Sequence, residues 1–262
     1  MLGAIAGDII GSRFEGCHPP SADFHLFDAA CRFTDDTVCT LAVAEALLEG
    51  GDFAASLRAF VRRHPRRGYG GMFLKWAFTD DAPAYGSWGN GAPMRTAAIG
   101  WLCGREAEVL RRAAEQAQVS HDHPDAVAGS QAVALSILLL RTGTPRPTVR
   151  SRIAEQFGYD LDPATGLQPR GFDVSAKGTV PPALTAALSA DGWEQAVRTV
   201  ISLGGDTDTL GCICGAVAEA AQGVPNDIAE AARAYLTQDL LDVLRRASSA
   251  RSLQPQPDRP SA

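Results

Sequence analysis

Apolar residues recur at three- and four-residue intervals along most of this 262-residue chain, a spacing typical of helices with one buried face. No alternation of β-branched residues bounded by turn signals is sustained anywhere in the sequence. The pattern therefore predicts an all-α protein. The segments with helical spacing are 37–48, 53–63, 106–119, 124–140, 149–157, 182–188, 193–203, 209–221 and 228–246.

The length allows one large domain, and a hydrophobic content of 45% suits a globular core. We expect a domain over residues 1–248, followed by a disordered tail over 249–262, where Pro, Ser and Gln dominate. The net charge of −6 disfavours a non-specific nucleic-acid or membrane binder. Six cysteines without a CxxC framework read as reduced thiols, and no 18-residue apolar run or signal-peptide pattern occurs. We therefore expect a cytoplasmic protein.

Two acidic runs lie about 170 residues apart, and each stands at a predicted helix start. They are Thr34-Asp35-Asp36-Thr37 and Asp206-Thr207-Asp208-Thr209. Either run alone is explained by helix capping, with the hydroxyl bonding an orphan amide and the aspartates complementing the helix dipole. Together they also offer two oxygen-rich half-sites that folding can bring around Mg²⁺ or Mn²⁺.

Three further runs carry glycine or chemistry-bearing residues. The first, from Gly7 to Glu15, fits a glycine-containing helix closed by a surface turn. The second, Gly86-Ser87-Trp88-Gly89-Asn90-Gly91, follows no strand and lacks the spacing of a nucleotide-binding fingerprint. The third, Ser120-His121-Asp122-His123-Pro124, lacks the additional ligands of a zinc site. None of these runs decides a function by itself.

In this order, however, the five runs resemble the ADP-ribosylglycohydrolase family over about residues 3–225. The carriers of the resemblance are G-D-x-x-G-x-x-x-E ending at Glu15, Phe33-Thr34-Asp35-Asp36-Thr37, Gly89-Asn90-Gly91-x-x-Met94-Arg95, Ser120-His121-x-His123-Pro124, and Gly204-Gly205-Asp206-Thr207-Asp208-Thr209.

The resemblance implies a compact orthogonal multi-helix bundle with a central cleft that holds a dinuclear metal site with two Mg²⁺ or Mn²⁺ ions. The ligands carried over by motif are Thr34, Asp35, Asp36, Asp206, Asp208 and Thr209. Glu15 is the implied acid/base or metal-gating group, although Asp35 or Asp36 can instead position the water. The implied substrate-binding residues are Trp88, Gly89, Asn90, Gly91, Ser120, His121 and Gly205.

The implied reaction is hydrolysis of the C1-ribosyl bond of an ADP-ribosylated protein or other acceptor, which releases ADP-ribose. Two other classes stay open: a two-metal nucleotide phosphohydrolase, and an inactive relative that only binds ADP-ribose. The intact acidic residues favour an enzyme. The acceptor and the oligomeric state are not encoded in any motif. Lys177 departs from the family pattern and reads either as a phosphate contact or as a solvated surface charge.

Overall fold

The computed structural model describes residues 1–169 and 171–252, with side chains described to residue 250. Within these residues the regular structure is helical, and a single isolated bridge joins Gly89 to Ser175. The all-α prediction is confirmed. The helices are α1 (Leu2–Gly11), α2 (Asp35–Glu49), α3 (Phe53–Arg63), α4 (Gly71–Phe78), α5 (Ala97–Leu102), α6 (Glu106–Gln118), α7 (Pro124–Arg141), α8 (Arg146–Phe157), α9 (Pro163–Gly166), α10 (Ala176–Ser189), α11 (Trp193–Ile201), α12 (Thr207–Gln222), α13 (Asn226–Ala234) and α14 (Gln238–Ser252).

Helix α12 occupies the centre of the core and packs against α1, α2, α5, α7, α10 and α11. Its closest neighbour is α1, and the two backbones touch through glycines. A Cβ on Gly7 would overlap the carbonyl oxygen of Gly211, and a Cβ on Gly11 would lie 2.7 Å from the Cα of Asp208. The Thr207 hydroxyl also donates to the Gly11 carbonyl at 2.8 Å. This contact brings the end of α1 against the start of α12.

The helix ends near the predicted site follow ordinary capping rules. The Thr34 side chain accepts the Asp36 amide at the start of α2, and Gly50 ends that helix with φ +109°. Gly204 and Gly205, with φ +77° and +85°, turn the chain into α12. Because this left-handed conformation costs glycine little, the pair lets the chain turn sharply just before the second acidic run.

Two predicted helices differ from the structure by more than three residues. The predicted helix 182–188 is the C-terminal half of α10, which begins after Ser175 and includes Pro181 and Pro182. Burial against α7, α8, α11 and α12 holds this helix together despite the prolines. The predicted helix 228–246 is two helices, α13 and α14. The chain breaks between them, where Leu236 is buried and the Thr237 hydroxyl bonds Asp239 at 2.6 Å.

Other features of the fold bear on the sequence predictions. Helices α4, α5 and α9 were not predicted, because all three are short and contain or adjoin glycines. The predicted tail begins inside α14, which ends at Ser252, and the rest of it lies outside the described residues. All six cysteines are free thiols, of which only Cys17 is exposed. No helix in the described part of the chain is long and apolar enough to cross a membrane.

Candidate active site

Asp8 lies at the bottom of the site and organises the start of α2. It is fully buried on α1. Its Oδ2 accepts the backbone N–H groups of Thr34 at 3.0 Å and Thr37 at 3.2 Å, together with the Thr37 hydroxyl. Its Oδ1 accepts the Thr34 hydroxyl at 2.7 Å. Asp8 therefore ties the first acidic run to α1. This role was not predicted from the sequence, although a lone carboxylate in an apolar helix is itself a signal.

The structure brings the two acidic runs together. Single carboxylate oxygens of Asp8, Asp36 and Asp208 lie within 4.8 Å of one another, and so do those of Glu15, Asp206 and Asp208. Asp208 belongs to both groups, so the two groups are adjacent. The Thr209 hydroxyl reaches the Asp36 Oδ2 at 3.3 Å. Two neighbouring sets of hard oxygen atoms are the donor set that Mg²⁺ or Mn²⁺ prefers.

One oxygen in this cluster lacks a partner. Asp36 Oδ1 is buried and accepts no hydrogen bond from the described residues. The Cys212 thiol lies beside this carboxylate, but it donates to the Met94 carbonyl at 3.4 Å. A buried carboxylate oxygen without a donor is costly unless a cation or water satisfies it. The residues present therefore fit a bound metal.

The electrostatics of the cluster lead to the same conclusion. Burial, followed by the charge of neighbouring carboxylates, raises the pKa of Asp35, Asp36 and Asp208 well above the ordinary aspartate value. Burial raises the pKa of Asp8 to about 6, although four hydrogen bonds act in the opposite direction. Without positive charge these acids resist ionising together, so divalent cations would stabilise their ionised forms.

Glu15 lies at the edge of the cluster and is half-buried. Its pKa is raised by burial and by the negative charge of Asp206, while Arg32 lowers it. A carboxyl group with a raised pKa that still reaches solvent can exchange a proton during a reaction. The role of Glu15 as an acid/base or metal-gating group stays a prediction.

The remaining residues of the acidic runs have different surroundings. Asp35 lines the cleft but belongs to neither carboxylate group, and its amide donates to the Arg67 carbonyl at 2.7 Å. Thr34 is buried and does not line the cleft, since its hydroxyl serves Asp8 and the start of α2. Thr209 does line the cleft.

A cleft of about 710 Å³ opens above the acidic cluster. Two glycine-containing loops, 68–71 and 86–91, form part of its wall. Four large apolar side chains at the cleft are strongly exposed. They are Met72, Trp88, Phe172 and Val174, with relative exposures from 41% to 66%. The cleft is therefore acidic at its base and apolar at its rim, which suits a ligand that carries both polar groups and a flat ring.

Most of the loop from Gly89 to Gly91 is engaged within the protein. The Gly89 amide donates to the Ser87 hydroxyl at 3.2 Å, and the Asn90 amide donates to the Val174 carbonyl at 2.8 Å. The Asn90 side chain donates to Asp206 at 2.7 Å and to Thr179 at 3.0 Å. Asn90 thus orients a carboxylate of the cluster. Only the Gly91 amide has no partner among the described residues.

The other predicted binding residues lie at different depths. His121 lines the cleft, whereas Ser120 lies behind it, fully buried. Both of their backbone amides donate to the Ala117 carbonyl, so neither amide is available to a ligand. Gly205 does not line the cleft, and its carbonyl accepts the Gly16 amide at 3.0 Å. Lys177 is exposed and outside the cleft lining.

Comparison with known proteins assigns the chain to a family. The family model described as ADP-ribosylglycohydrolase matches residues 1–257. The chain is 24% identical to ADP-ribosylhydrolase ARH3 from Danio rerio, over 86% of this chain and 82% of that protein. It is 24% identical to ADP-ribosylhydrolase ARH3 from Gallus gallus, over 85% and 84% of the two chains. An uncharacterized protein from Archaeoglobus fulgidus is 25% identical, over 83% and 84%. The chain belongs to the ADP-ribosylglycohydrolase family, and this membership supports an ADP-ribosyl hydrolase activity.

Proposed function

We propose that this protein hydrolyses the C1-ribosyl bond of ADP-ribosylated acceptors and releases ADP-ribose, with two Mg²⁺ or Mn²⁺ ions bound in the cleft. The observation that carries the proposal is the pair of carboxylate groups that share Asp208, with Glu15 at the edge that reaches solvent. The proposed ion-binding carboxylates are Asp8, Asp36, Asp206 and Asp208, with Asp35 and Thr209 at the cleft wall.

Cleavage of a glycosidic bond builds positive charge at C1 and requires a proton for the departing acceptor. Bound cations would orient the ribose hydroxyls and activate a water molecule. Glu15 is the group best placed to move the proton, because its raised pKa favours a protonated form and its position keeps it in contact with solvent. The cluster holds its oxygens in fixed positions through Asn90, Thr34 and Thr37.

Substrate binding in this proposal depends on both halves of the cleft. The protein has a net charge of −6, so a dianionic pyrophosphate must be attracted locally. The free Gly91 amide and the bound cations would supply this attraction. Trp88 is 51% exposed at the cleft and offers a flat face to adenine or ribose. The acceptor would then occupy the remaining part of the cleft mouth, where a protein side chain or another ADP-ribosylated group can enter.

Six free cysteines support a cytoplasmic location as part of the proposal, because reduced thiols are the usual state in that compartment.

The test is incubation of the protein with a panel of ADP-ribosylated acceptors, with and without Mg²⁺, while free ADP-ribose is measured. We expect release that depends on the metal and is abolished by Asp36→Asn. The exposed Asp227 on α13 provides the matched control Asp227→Asn, which should retain full activity. Cleavage of the pyrophosphate would instead favour a two-metal nucleotide phosphohydrolase. Binding of ADP-ribose without turnover on any acceptor would favour an inactive relative.

A further inference from the structure

Arg95 is a fully buried cation in the lining of the cleft. Its Nε donates to the Gln116 side chain at 2.7 Å. Its Nη2 donates to the Gln116 carbonyl at 2.9 Å and to the Ser120 hydroxyl at 3.0 Å. Its Nη1 is buried without a partner among the described residues. None of these partners is a carboxylate. A buried guanidinium without a counter-charge is costly, so its position calls for an explanation beyond a simple ion pair.

The bond from Arg95 restricts the hydroxyl of Ser120. Arginine can only donate hydrogen bonds, so the Ser120 oxygen is the acceptor in this pair. Ser120 is fully buried, and its other contact is with the Nδ1 of His121 at 2.8 Å. The hydroxyl hydrogen has no other acceptor, side chain or backbone, among the described residues. If Nδ1 carried a proton, that hydroxyl hydrogen would be buried and unsatisfied. Nδ1 must therefore accept the Ser120 hydroxyl, and the ring hydrogen belongs on Nε2.

His121 is held in place around this bond. Its ring centre lies 6.0 Å from that of Phe73 and 5.7 Å from that of Tyr85. On the opposite edge, a Cβ on Gly91 would come within 2.9 Å of Nε2. Nε2 makes no hydrogen bond to the described residues, and both His121 and Gly91 line the cleft. The ring edge that carries Nε2 therefore lies beside Gly91, whose backbone amide has no partner among the described residues.

We infer that Arg95 is a positioning residue that acts through Ser120 to hold His121 as the neutral tautomer with its hydrogen on Nε2. In this state Nε2 presents its hydrogen at the cleft, beside Gly91, as a fixed donor for a ligand oxygen. The tautomer follows from the hydrogen-bond chain alone. The identity of the ligand oxygen, as one from ADP-ribose, rests on the proposed function.

The electrostatic surroundings agree with a neutral ring. Burial, and then the positive charge of Arg95, holds the pKa of His121 well below the ordinary histidine value. A neutral imidazole that accepts at Nδ1 and donates at Nε2 is a permanent donor at physiological pH. Arg95 thus disfavours the charged ring and, through Ser120, selects one of the two neutral forms.

The experiment is ¹⁵N NMR of the histidine rings in the full-length protein, because the spectrum separates protonated from unprotonated ring nitrogens. For His121 we expect an unprotonated Nδ1 and a protonated Nε2, with the exposed His25 as an internal reference. In Ser120→Ala, Nδ1 loses its donor, and the ring should shift toward a mixture of the two tautomers. The matched control is Ser136→Ala. Ser136 is a buried serine on α7 whose hydroxyl donates to the Ala132 carbonyl at 2.7 Å, and it bonds none of Arg95, Gln116 and His121. This variant should leave the spectrum unchanged.

A wild-type His121 protonated at Nδ1 would overturn the inference. An unchanged tautomer in Ser120→Ala would overturn it as well. Calorimetric titration with ADP-ribose then tests the consequence for the ligand. Ser120→Ala should weaken binding by about 10-fold, the usual effect of a misplaced hydrogen-bond donor, and Ser136→Ala should not. Failure of the wild type to bind ADP-ribose would count against the proposed function, whereas the tautomer is decided by the spectrum of the ligand-free protein.

Discussion

The contact between α1 and α12 should control the geometry of the acidic cluster, and Gly11→Ala tests this directly. A Cβ at position 11 would lie 2.2 Å from the Thr207 carbonyl oxygen and 2.7 Å from the Asp208 Cα, whereas ordinary contact begins at 3.4 Å. The start of α12 must therefore recede by about 1.2 Å, the difference between 3.4 Å and the shorter of these two distances. Metal–ligand distances tolerate only about 0.2 Å. The variant should thus lose metal affinity as well as stability.

We expect Gly11→Ala to lower the free energy of unfolding by about 1–3 kcal/mol, the usual cost of overpacking a tight contact. Its affinity for Mn²⁺ should fall by about 10–100-fold, as when the support of a metal ligand is removed. Urea unfolding in a chelator measures the stability, and calorimetric titration with Mn²⁺ measures the affinity. These two quantities separate a general loss of fold from displacement of Asp208.

The control is Gly104→Ala. A Cβ at Gly104 meets nothing within 4 Å, and its backbone is not left-handed. That variant should change neither quantity. If Gly11→Ala binds Mn²⁺ as tightly as the wild type and is equally stable, then the glycine contact does not set the position of Asp208, and the packing argument fails.

Three further variants test individual parts of the site. Glu15→Gln should slow hydrolysis by about 10²–10⁴-fold while ADP-ribose still binds. Glu230 is exposed, and Glu230→Gln is the control. Unchanged turnover in Glu15→Gln would remove Glu15 from the mechanism. Gly91→Val should lower the calorimetrically measured affinity for ADP-ribose more than Lys177→Ala does, because Gly91 lines the cleft and Lys177 does not. A larger loss of affinity in Lys177→Ala would indicate that a charged side chain binds the pyrophosphate. The pKa of Asp8 is about 6 in the native protein, against an ordinary value of 3.8. In the metal-free protein the native state therefore binds more protons at Asp8 than the unfolded state does. The contribution of Asp8 to the free energy of unfolding consequently falls as pH rises from 4 to 7. In urea titrations with a chelator, Asp8→Asn should therefore gain about 2–3 kcal/mol relative to wild type over this range, and a constant difference between the two proteins would contradict the raised pKa.

The sequence predicted those parts of the site whose positions are set by residues next to them in the chain. Thr34-Asp35-Asp36 carries both a capping pattern and an acidic pattern within three residues, and α2 begins there. The second acidic run follows two glycines that the turn into α12 requires. Each signal lies within one turn of the helix it starts, so it can be seen without knowledge of the fold.

The parts that the sequence did not predict depend on distant partners. The bonds of Asp8 reach Thr34 and Thr37, on another helix, so no neighbouring residue marks its role. Ser120 was expected to bind the substrate, but the structure buries it against Arg95. The bond by which Asn90 orients Asp206 was not predicted for the same reason, since the two residues lie 116 positions apart. Burial and long-range pairing decide these roles, and neither can be read from spacing.

The close pairing of α1 with α12 also has a consequence for the order of events during synthesis. Asp8 and Asp208 belong to one cluster, yet 200 positions separate them. At translation rates of about 5–20 residues per second, the first half of the site leaves the ribosome about 10–40 s before the second. During this interval α1 lacks the helix against which its glycines pack, and the early carboxylates lack Asp208. If the cluster binds cations as proposed, their capture is thus among the last steps of folding, and occupancy of the site would mark a domain whose synthesis has passed α12.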